Sequence, residues 1–182
     1  MSFWAEREAW SEDIPSSLAW IDSSPAAEDD KTSLFGQPQG GNMETIDVVA
    51  AIIWEGGRIL ATQRGYGEFA GGWEFPGGKI EQGETPEQAV VREVHEELEV
   101  SIAVDPLVTV VDYDYNTFHL HMYCFLCHVV DGQIELHEHR TARWLDAGNI
   151  DSVDWLPADE GVIRQIKDQG ILGARDLPGR SD

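Results

Sequence analysis

The chain has 182 residues and a formal net charge of −22, with 12 lysines and arginines against 34 aspartates and glutamates. This length suits one domain with a core of its own plus terminal appendages. A chain this acidic lacks the basic surface that binds nucleic-acid polymers through their phosphates, although a small nucleotide neutralised by metal ions is compatible with it. The sequence has no apolar run of membrane-spanning length and no basic-then-apolar leader pattern, so we expect a cytoplasmic protein without a membrane partner.

Residues 1–42 differ in composition from the rest of the chain. They are acidic, carry three tryptophans and end in a Gly-Gln-Pro-Gln-Gly-Gly linker. Short helices are predicted around residues 3–10 and 14–21, but these pieces cannot form a core alone. One interpretation is that translation begins at Met43 and the upstream residues are dispensable. The other is that the tryptophans dock on the domain or on a partner.

Residues 43–172 are predicted to form one α/β domain, with residues 173–182 as a tail. A Glu55-Gly56-Gly57 turn joins the first two predicted strands, and a glycine-rich loop at 65–72 follows them. The predicted strands are 46–54, 58–63, 102–113, 117–130, 133–137 and 141–145. The helices predicted are one at about 85–98 and one at about 158–168. Strands interleaved with two main helices indicate a mixed sheet sandwiched between helices.

The segment at 85–98 carries the signals of an amphipathic helix. Thr85 suits the N-cap, Pro86 suits the first helical position, and Gln88 completes a capping box. At about 100° per residue, the apolar arc comprises Val90, Val91, Val94 and Leu98, and the opposite arc comprises Glu93, Glu96 and Glu97. Like charges at this spacing repel one another unless a cation binds them, and all-oxygen ligands favour Mg²⁺, with Mn²⁺ as a substitute. The alternative is a solvated acidic face.

Two cysteines, Cys124 and Cys127, lie three residues apart in a predicted strand. Residues at that spacing point to opposite faces of a sheet, so we interpret them as core thiols and not as a metal or redox pair. Histidines alternate along the same strand and are expected to line or flank a cleft, with substrate contact as the less favoured alternative. They are His119, His121 and His128.

A tight glycine turn, Phe75-Pro76-Gly77-Gly78-Lys79, precedes the first helix, and its glycines allow the backbone to approach a ligand closely. Turn and helix together resemble the Nudix box. The matching positions are Gly78, Glu84, Arg92, Glu93, Val94, Glu96, Glu97 and Val100. Glu99 departs from the pattern, which has glycine there. A glutamate in a left-handed cap costs about 1 kcal/mol, so the helix takes that cap at a cost, ends differently or runs longer.

The resemblance extends over residues 45–170 and is closest to the MutT-like branch of Nudix hydrolases. It implies an α/β/α sandwich with a mixed β-sheet. It also implies a Mg²⁺-dependent enzyme, with Mn²⁺ as a possible substitute, that splits (deoxy)nucleoside triphosphates into monophosphate and pyrophosphate and so sanitises the nucleotide pool. The metal ligands implied are the Gly77 carbonyl, Glu93, Glu96, Glu97 and Glu138. Either Glu93 or Glu138 is the implied general base, and spacing does not decide between them.

Further positions are implied to contact the substrate. Arg64 and Lys79 suit phosphate contact, with solvated charge as the alternative. The Trp73-Glu74-Phe75 segment offers an aromatic surface for the base, and Asp159 aligns with a base-reading position, with a helix N-cap as the alternative. An ionised aspartate only accepts hydrogen bonds, which favours the amino groups of cytosine or adenine, unless protonation lets it read a guanine oxygen. The implied supporting residues are Gly78, Glu84 and Arg92, with Arg92 orienting the carboxylates.

Two other functions stay open at this point. One is a non-catalytic Nudix-fold module that senses a nucleotide or engages a partner through residues 1–42. The other is a hydrolase of a different nucleoside diphosphate derivative, such as a dinucleotide or a nucleotide sugar. The preferred base, 8-oxoguanine or cytosine, and the oligomeric state are also left open.

Overall fold

The structure, a computed structural model, describes residues 43–174. The predictions made for residues 1–42, and for the tail beyond Ala174, lie outside the described residues. The first tail residue, Gly173, donates its backbone N–H to the carbonyl of Gly57 at 3.0 Å. Within residues 43–174, neither helix has the length and apolar character needed to cross a membrane.

The described residues form six strands and two helices. In chain order these are β1 (Glu44–Glu55), β2 (Arg58–Arg64), β3 (Trp73–Glu74), α1 (Pro86–Leu98), β4 (Ser101–Asp114), β5 (Phe118–Asp131), β6 (His139–Leu145) and α2 (Pro157–Asp168). Both predicted helices and five of the predicted strands are confirmed, with ends within two residues of the prediction. The two-residue strand β3 is the one that the sequence did not predict.

The predicted strand at 133–137 is wrong. This segment instead runs past the C-terminal end of α1, where the N–H of Glu135 donates to the Leu98 carbonyl and the N–H of His137 donates to the Glu97 carbonyl. The last carbonyls of a helix have no partner within the helix, so they compete for N–H groups that a strand would otherwise use. The segment therefore caps α1 and delivers the chain to Glu138.

Helix α1 begins as predicted. The Thr85 side chain accepts the N–H of Gln88, and the Gln88 side chain accepts the N–H of Thr85, which completes the capping box. The prediction that Val91 belongs to the buried arc is wrong, since Val91 is 40% exposed and Ala89 is buried instead. The helix ends at Leu98, and Glu99 adopts a left-handed conformation (φ 57°, ψ 27°), as the family's glycine position requires.

The six strands form one mixed sheet of order β3-β2-β1-β5-β4, with β6 paired to β2. The β1–β5 pair is parallel and the other pairs are antiparallel. Strand β1 is buried on both faces because its side chains alternate between two cores. Val48, Ala50 and Ile52 share a core with α2, whereas Val49, Ala51 and Ile53 share one with α1. This is the predicted α/β/α sandwich.

The two cysteines behave as predicted. Cys124 packs in the α2-side core and Cys127 in the α1-side core, and both are buried free thiols. Burial raises the pKa of both thiols above their usual range. Neither is suited to redox or metal chemistry in the folded protein.

Candidate active site

The glycine turn is held against the central strand of the sheet. Strand β2 pairs with β1 near the hairpin turn that joins them. Further along β1, the glycine turn takes the place of β2. The N–H of Val49 donates to the Gly78 carbonyl and the N–H of Ala51 donates to the Pro76 carbonyl, both at 2.8 Å. A Cβ at Gly77 would lie 2.1 Å from the carbonyl oxygen of Val49, so only glycine allows this approach.

The turn also meets the acidic face of α1. The N–H of Gly77 donates to Glu97 Oε2 at 2.9 Å. A Cβ at Gly78 would lie 2.5 Å from the carboxyl carbon of Glu93, so a side chain there would displace that carboxylate. The three helix carboxylates differ in environment, since Glu97 is 7% exposed, Glu93 is partly buried and Glu96 is largely open to solvent.

Arg92 links the turn, the loop and the helix carboxylates. Its Nε and Nη2 donate to the two oxygens of Glu84 at 2.8 and 2.9 Å, and its Nη1 donates to Glu93 Oε1 at 2.8 Å. Nη2 also donates to the Lys79 carbonyl at 2.9 Å. A planar guanidinium can hold all of these acceptors at once, which a lysine cannot. The structure thus places Arg92 and Glu84 where they brace the turn and aim Glu93.

Replacing Glu84 by glutamine is expected to destabilise the fold by about 1 kcal/mol at neutral pH. The hydrogen bond from Arg92 lowers the pKa of Glu84 from its ordinary 4.5 to about 2. A group with a lowered pKa stabilises the fold above its ordinary pKa and loses that contribution as the pH falls through the folded-state value. Urea unfolding from pH 7 to pH 2 should show the wild-type advantage shrinking below pH 4.5. A difference that stays constant with pH would contradict this role.

A small acidic cavity opens between the turn and β6. It is lined by Arg64, Tyr66, Glu74, Gly77, Glu97, Glu138 and His139. The hydroxyl of Tyr66 donates to Glu138 Oε2 at 3.1 Å, which fixes Glu138 on the cavity wall. The structure therefore brings Glu97, Glu138 and Gly77 together, as the sequence predicts, and it adds Glu74.

The carboxylates at this cavity repel one another. Burial, followed by the charges of Glu74 and Glu138, raises the pKa of Glu97 well above its ordinary value, while the Gly77 N–H opposes the rise. Burial also raises the pKa of Glu93, against the opposing effect of Arg92. Crowded carboxylate oxygens of this kind fit a hard divalent cation, which neutralises several of them at once. The residues present therefore fit Mg²⁺ or Mn²⁺.

Two glutamates and a histidine form a separate group whose ligand atoms lie close enough together to hold a metal ion. Among residues 43–174, the ligand atoms of Glu99, Glu135 and His137 lie within 4.8 Å of one another, all on exposed side chains. Glu93, Glu96 and Glu97 do not form such a group, because Glu96 is exposed whereas Glu97 is buried against Gly77. The exposed group lies at the end of α1, where His137 Nε2 is 3.1 Å from Glu99 Oε2.

An aromatic cavity adjoins the acidic one, and Arg64, Glu74 and Gly77 line both. Phe75 is buried in its wall and stacks on Trp155 with ring centroids 5.0 Å apart. The cavity walls also include Phe69, Tyr115, Phe118, Leu120, Met122, Leu156 and Asp159. The ring centroids of Phe69 and Tyr115 are 5.3 Å apart, so the loop after β2 contacts the turn between β4 and β5. Trp73 lies outside this wall and packs beneath Arg143 at 5.0 Å.

Asp159 is buried in the wall of the aromatic cavity. Its Oδ1 accepts the backbone N–H of Phe75 at 3.2 Å. The N-cap alternative is wrong, because Leu156 holds that position and Asp159 is already inside α2. Burial, then the charge of Glu74, raises the pKa of Asp159 to about 8, so the carboxyl is largely protonated at neutral pH. A protonated carboxyl can donate as well as accept hydrogen bonds.

The remaining predicted positions lie as follows. Arg64 Nε and Nη2 donate to the carboxylate of Glu74 at 3.0 and 2.8 Å. Lys79 is exposed, and its backbone bridges to Val48 of β1. The three histidines of β5 contact aspartates of β4 and do not line either cavity. These pairs are His119–Asp114, His121–Asp112 and His128–Asp105.

Residues 43–169 match the NUDIX domain. The chain belongs to the Nudix family. The 8-oxo-dGTP diphosphatase of Escherichia coli K12 is 34% identical over 127 residues, which span 69% of this chain and 98% of that protein. The CTP pyrophosphohydrolase of the same organism is 38% identical over 120 residues, which span 64% of this chain and 87% of that protein.

Solved structures agree with this assignment. The solution structure of the E. coli ORF135 protein has a TM-score of 0.61 at 34% identity and covers 72% of this chain and 94% of its own. The crystal structure of a MutT protein from Methanosarcina mazei Go1 has a TM-score of 0.62 at 25% identity, with 71% and 98% covered. The chain is therefore a MutT-like Nudix hydrolase, an enzyme that acts on phosphoanhydride bonds of nucleotides. Nudix hydrolases generally use a divalent metal ion.

Three side chains at the acidic cavity are not among the site residues that the sequence predicts, namely Tyr66, Glu74 and His139. Glu74 precedes Phe75 in the turn motif and His139 follows Glu138, so chain adjacency was the one signal available. Tyr66 lies in the glycine-rich loop after β2, where the sequence gives no periodicity to fix a direction. Long-range pairing of β2 with β3 and β6 places Glu74 and His139, and the Tyr66 hydroxyl reaches the site through its hydrogen bond to Glu138.

Proposed function

We propose that this Nudix hydrolase is a Mg²⁺-dependent pyrophosphohydrolase of (deoxy)nucleoside triphosphates that releases monophosphate and pyrophosphate and sanitises the nucleotide pool. The observation that carries the proposal is the pair of adjoining cavities, one acidic and one aromatic, with Arg64 and Glu74 lining both. A nucleotide fits this combination. The acidic cavity would hold the cations that its phosphates require, and the aromatic cavity would offer its base an apolar surface. A cytoplasmic location belongs to the same proposal.

The Gly77 carbonyl, Glu93, Glu96, Glu97 and Glu138 would hold the metal ions. Bound Mg²⁺ would neutralise phosphate charge and lower the pKa of the attacking water. The protein's own contribution is to bind, orient and accept a proton. Two proton acceptors remain candidates, Glu93, which Arg92 orients, and Glu138, which Tyr66 orients.

The aromatic cavity would take the base. Phe75 would offer the base an apolar surface, and Asp159 would supply a polar group beside it. Because the pKa of Asp159 is about 8, the residue would act as a donor at neutral pH, which suits a base oxygen such as that of an oxidised guanine. The relatives named for 8-oxo-dGTP and CTP mark the two bases to compare.

The glutamate at position 99 does not argue for a non-catalytic module. Glu99 adopts the left-handed conformation that the family's glycine position requires, and Glu97 on α1 contacts the glycine turn. His137 Nε2 lies 3.1 Å from the Glu99 carboxylate. The departure from the family pattern therefore does not prevent the left-handed ending of α1 after Leu98.

Purified protein with Mg²⁺ and a panel of substrates is expected to convert nucleoside triphosphates to monophosphate and pyrophosphate. The panel should contain 8-oxo-dGTP, CTP, the unmodified deoxynucleoside triphosphates, a nucleotide sugar and a dinucleotide, with products separated by ion-exchange chromatography. Turnover of the last two alone would move the substrate class to nucleoside diphosphate derivatives. Release of orthophosphate alone, or turnover of none of them, would contradict the proposal.

A further inference from the structure

The ion pair between Arg64 and Glu74 forms a wall shared by the two cavities. Both side chains line the aromatic cavity and the acidic cavity. Arg64 Nε lies 3.0 and 3.1 Å from the two Glu74 oxygens, and Nη2 lies 2.8 Å from Oε2. The side chains are only 14% and 11% exposed. This forked geometry fixes the plane of the guanidinium as well as its position.

The fold is shaped locally to aim Arg64 inward. The β2–β6 pairing has a register shift between Gln63 and Arg64, and such bulges redirect a side chain at the end of a strand. The backbone of Arg64 is held on the other side, where its N–H donates to the Gly72 carbonyl and its carbonyl accepts the N–H of Gly71. Glu74 comes from β3, directly across from Thr62 of β2.

A third side chain contacts Glu74 from behind. His139 Nε2 lies 3.4 Å from Glu74 Oε1, and the histidine side chain is 5% exposed. Its Nδ1 is buried without a hydrogen-bond partner among the described residues. His139 follows Glu138 in the chain, so this contact joins the Glu74 carboxylate to the segment that carries a proposed metal ligand.

A buried ion pair is a poor way to stabilise a fold. Removing two charges from water costs several kcal/mol, and apolar pairs of similar size are often as stable or more so. The location of this pair between the two cavities therefore calls for a role beyond stability. The Arg64 guanidinium lies on the wall that the aromatic cavity and the acidic cavity share.

We propose that Glu74 is a positioning residue that holds the Arg64 guanidinium toward the phosphate nearest the nucleoside, with His139 bracing Glu74 from behind. The inference rests on the proposed function, because it takes the aromatic cavity as the base site. Glu74 itself touches neither the base nor the metal ions in this arrangement. It acts through Arg64.

The test compares Glu74→Gln, Arg64→Lys and the double variant with the wild type. The matched control is Glu55→Gln, which breaks the exposed Arg58–Glu55 pair on the adjoining hairpin. Calorimetry with nucleoside monophosphate in the absence of metal measures binding, and Mg²⁺-dependent kinetics with triphosphate measure KM, kcat and the half-saturating Mg²⁺ concentration. Thermal unfolding establishes that each variant is folded.

Glu74→Gln is expected to weaken monophosphate binding and to raise KM about tenfold, the loss typical of one charge-assisted hydrogen bond. The half-saturating Mg²⁺ concentration should stay unchanged, and the double variant should bind no more weakly than the worse single variant, since both remove the same contact. Glu55→Gln should match the wild type.

Unchanged monophosphate affinity in Glu74→Gln, or additive losses in the double variant, would overturn the proposal. A shift in the Mg²⁺ requirement with unchanged monophosphate affinity would make Glu74 a metal ligand instead. If Glu74→Gln does not fold, Glu74→Asp keeps the charge but withdraws it by one methylene, and wild-type affinity in that variant would equally overturn the proposal. The monophosphate measurement needs no turnover, so its outcome is separate from a failure of the proposed reaction.

Discussion

Replacing Glu97 by glutamine is expected to reduce Mg²⁺-dependent hydrolysis on the order of a thousandfold, equivalent to about 4 kcal/mol of transition-state stabilisation. Glu97 is the buried carboxylate that joins α1 to the glycine turn, and it lines the same acidic cavity as Glu138. Glutamine keeps an oxygen that can accept the Gly77 N–H, so the turn should hold its place. The charge that would bind the metal is lost.

The same variant is expected to be more stable than the wild type when metal is removed with EDTA. Burial, with the charges of Glu74 and Glu138, raises the pKa of Glu97. The wild-type fold therefore loses stability as the pH rises above the ordinary pKa of a glutamate and this carboxyl is driven to ionise. A variant that is inactive yet melts at a higher temperature separates a metal-binding role from a merely structural one.

The matched control for Glu97 is Glu87→Gln on the exposed first turn of the same helix. Steady-state hydrolysis and thermal unfolding in EDTA should leave this control close to the wild type. Hydrolysis within tenfold of wild type in Glu97→Gln would remove Glu97 from the metal site.

Replacing Asp159 by asparagine is expected to change the pH dependence of stability by several kcal/mol. The ordinary pKa of 3.8 rises to about 8 in the folded protein, because of burial first and the charge of Glu74 second. A group with a raised pKa gives its full contribution to stability below its ordinary value and loses it as the pH rises through the folded-state value. At about 1.4 kcal/mol per pH unit, the wild type should lose on the order of 5 kcal/mol relative to the variant between pH 4 and pH 9.

Urea unfolding of both proteins at pH 4 and pH 9 measures this difference, since asparagine keeps an oxygen for the Phe75 N–H and does not titrate. Glu160→Gln, an exposed neighbour in the same helix turn, is the matched control and should show no such trend. Equal pH dependence in wild type and Asp159→Asn would mean that the carboxyl titrates normally in the folded state.

The titration of Asp159 should also be visible in substrate choice. Below pH 8 the protonated carboxyl can donate to a base oxygen, and above it the carboxylate can only accept from an amino group. The ratio of kcat/KM for 8-oxo-dGTP to that for CTP should therefore fall as the pH rises through this value in the wild type. Asparagine, which has both a donor and an acceptor at every pH, should hold the ratio constant.

Local signals predicted the part of the fold that is locally determined. The capping residues Thr85, Pro86 and Gln88 fix where α1 begins, and its acidic and apolar arcs follow from the helical period. The bounds of β1 also follow from its sequence, within two residues at each end. These features depend on neighbours in sequence, so the sequence alone carries them.

Features that depend on distant pairing were not predictable in the same way. The acidic stripe was evident, but which carboxylate is buried depends on how the glycine turn packs against β1, and that turn selects Glu97. The segment at 133–137 has a strand-like pattern, yet its N–H groups cap α1. Glu74 reaches the site only through the pairing of β2 with β3.

Calorimetric titration of Mg²⁺ into the protein bound to an unreactive triphosphate analogue tests metal binding by the α1 carboxylates most directly. Specific, saturable uptake is expected in the wild type and should be lost in Glu97→Gln. Glu87→Gln should take up Mg²⁺ as the wild type does. Uptake that is absent from the wild type, or equal in wild type and Glu97→Gln, would contradict the assignment of the α1 carboxylates to a metal-dependent active site.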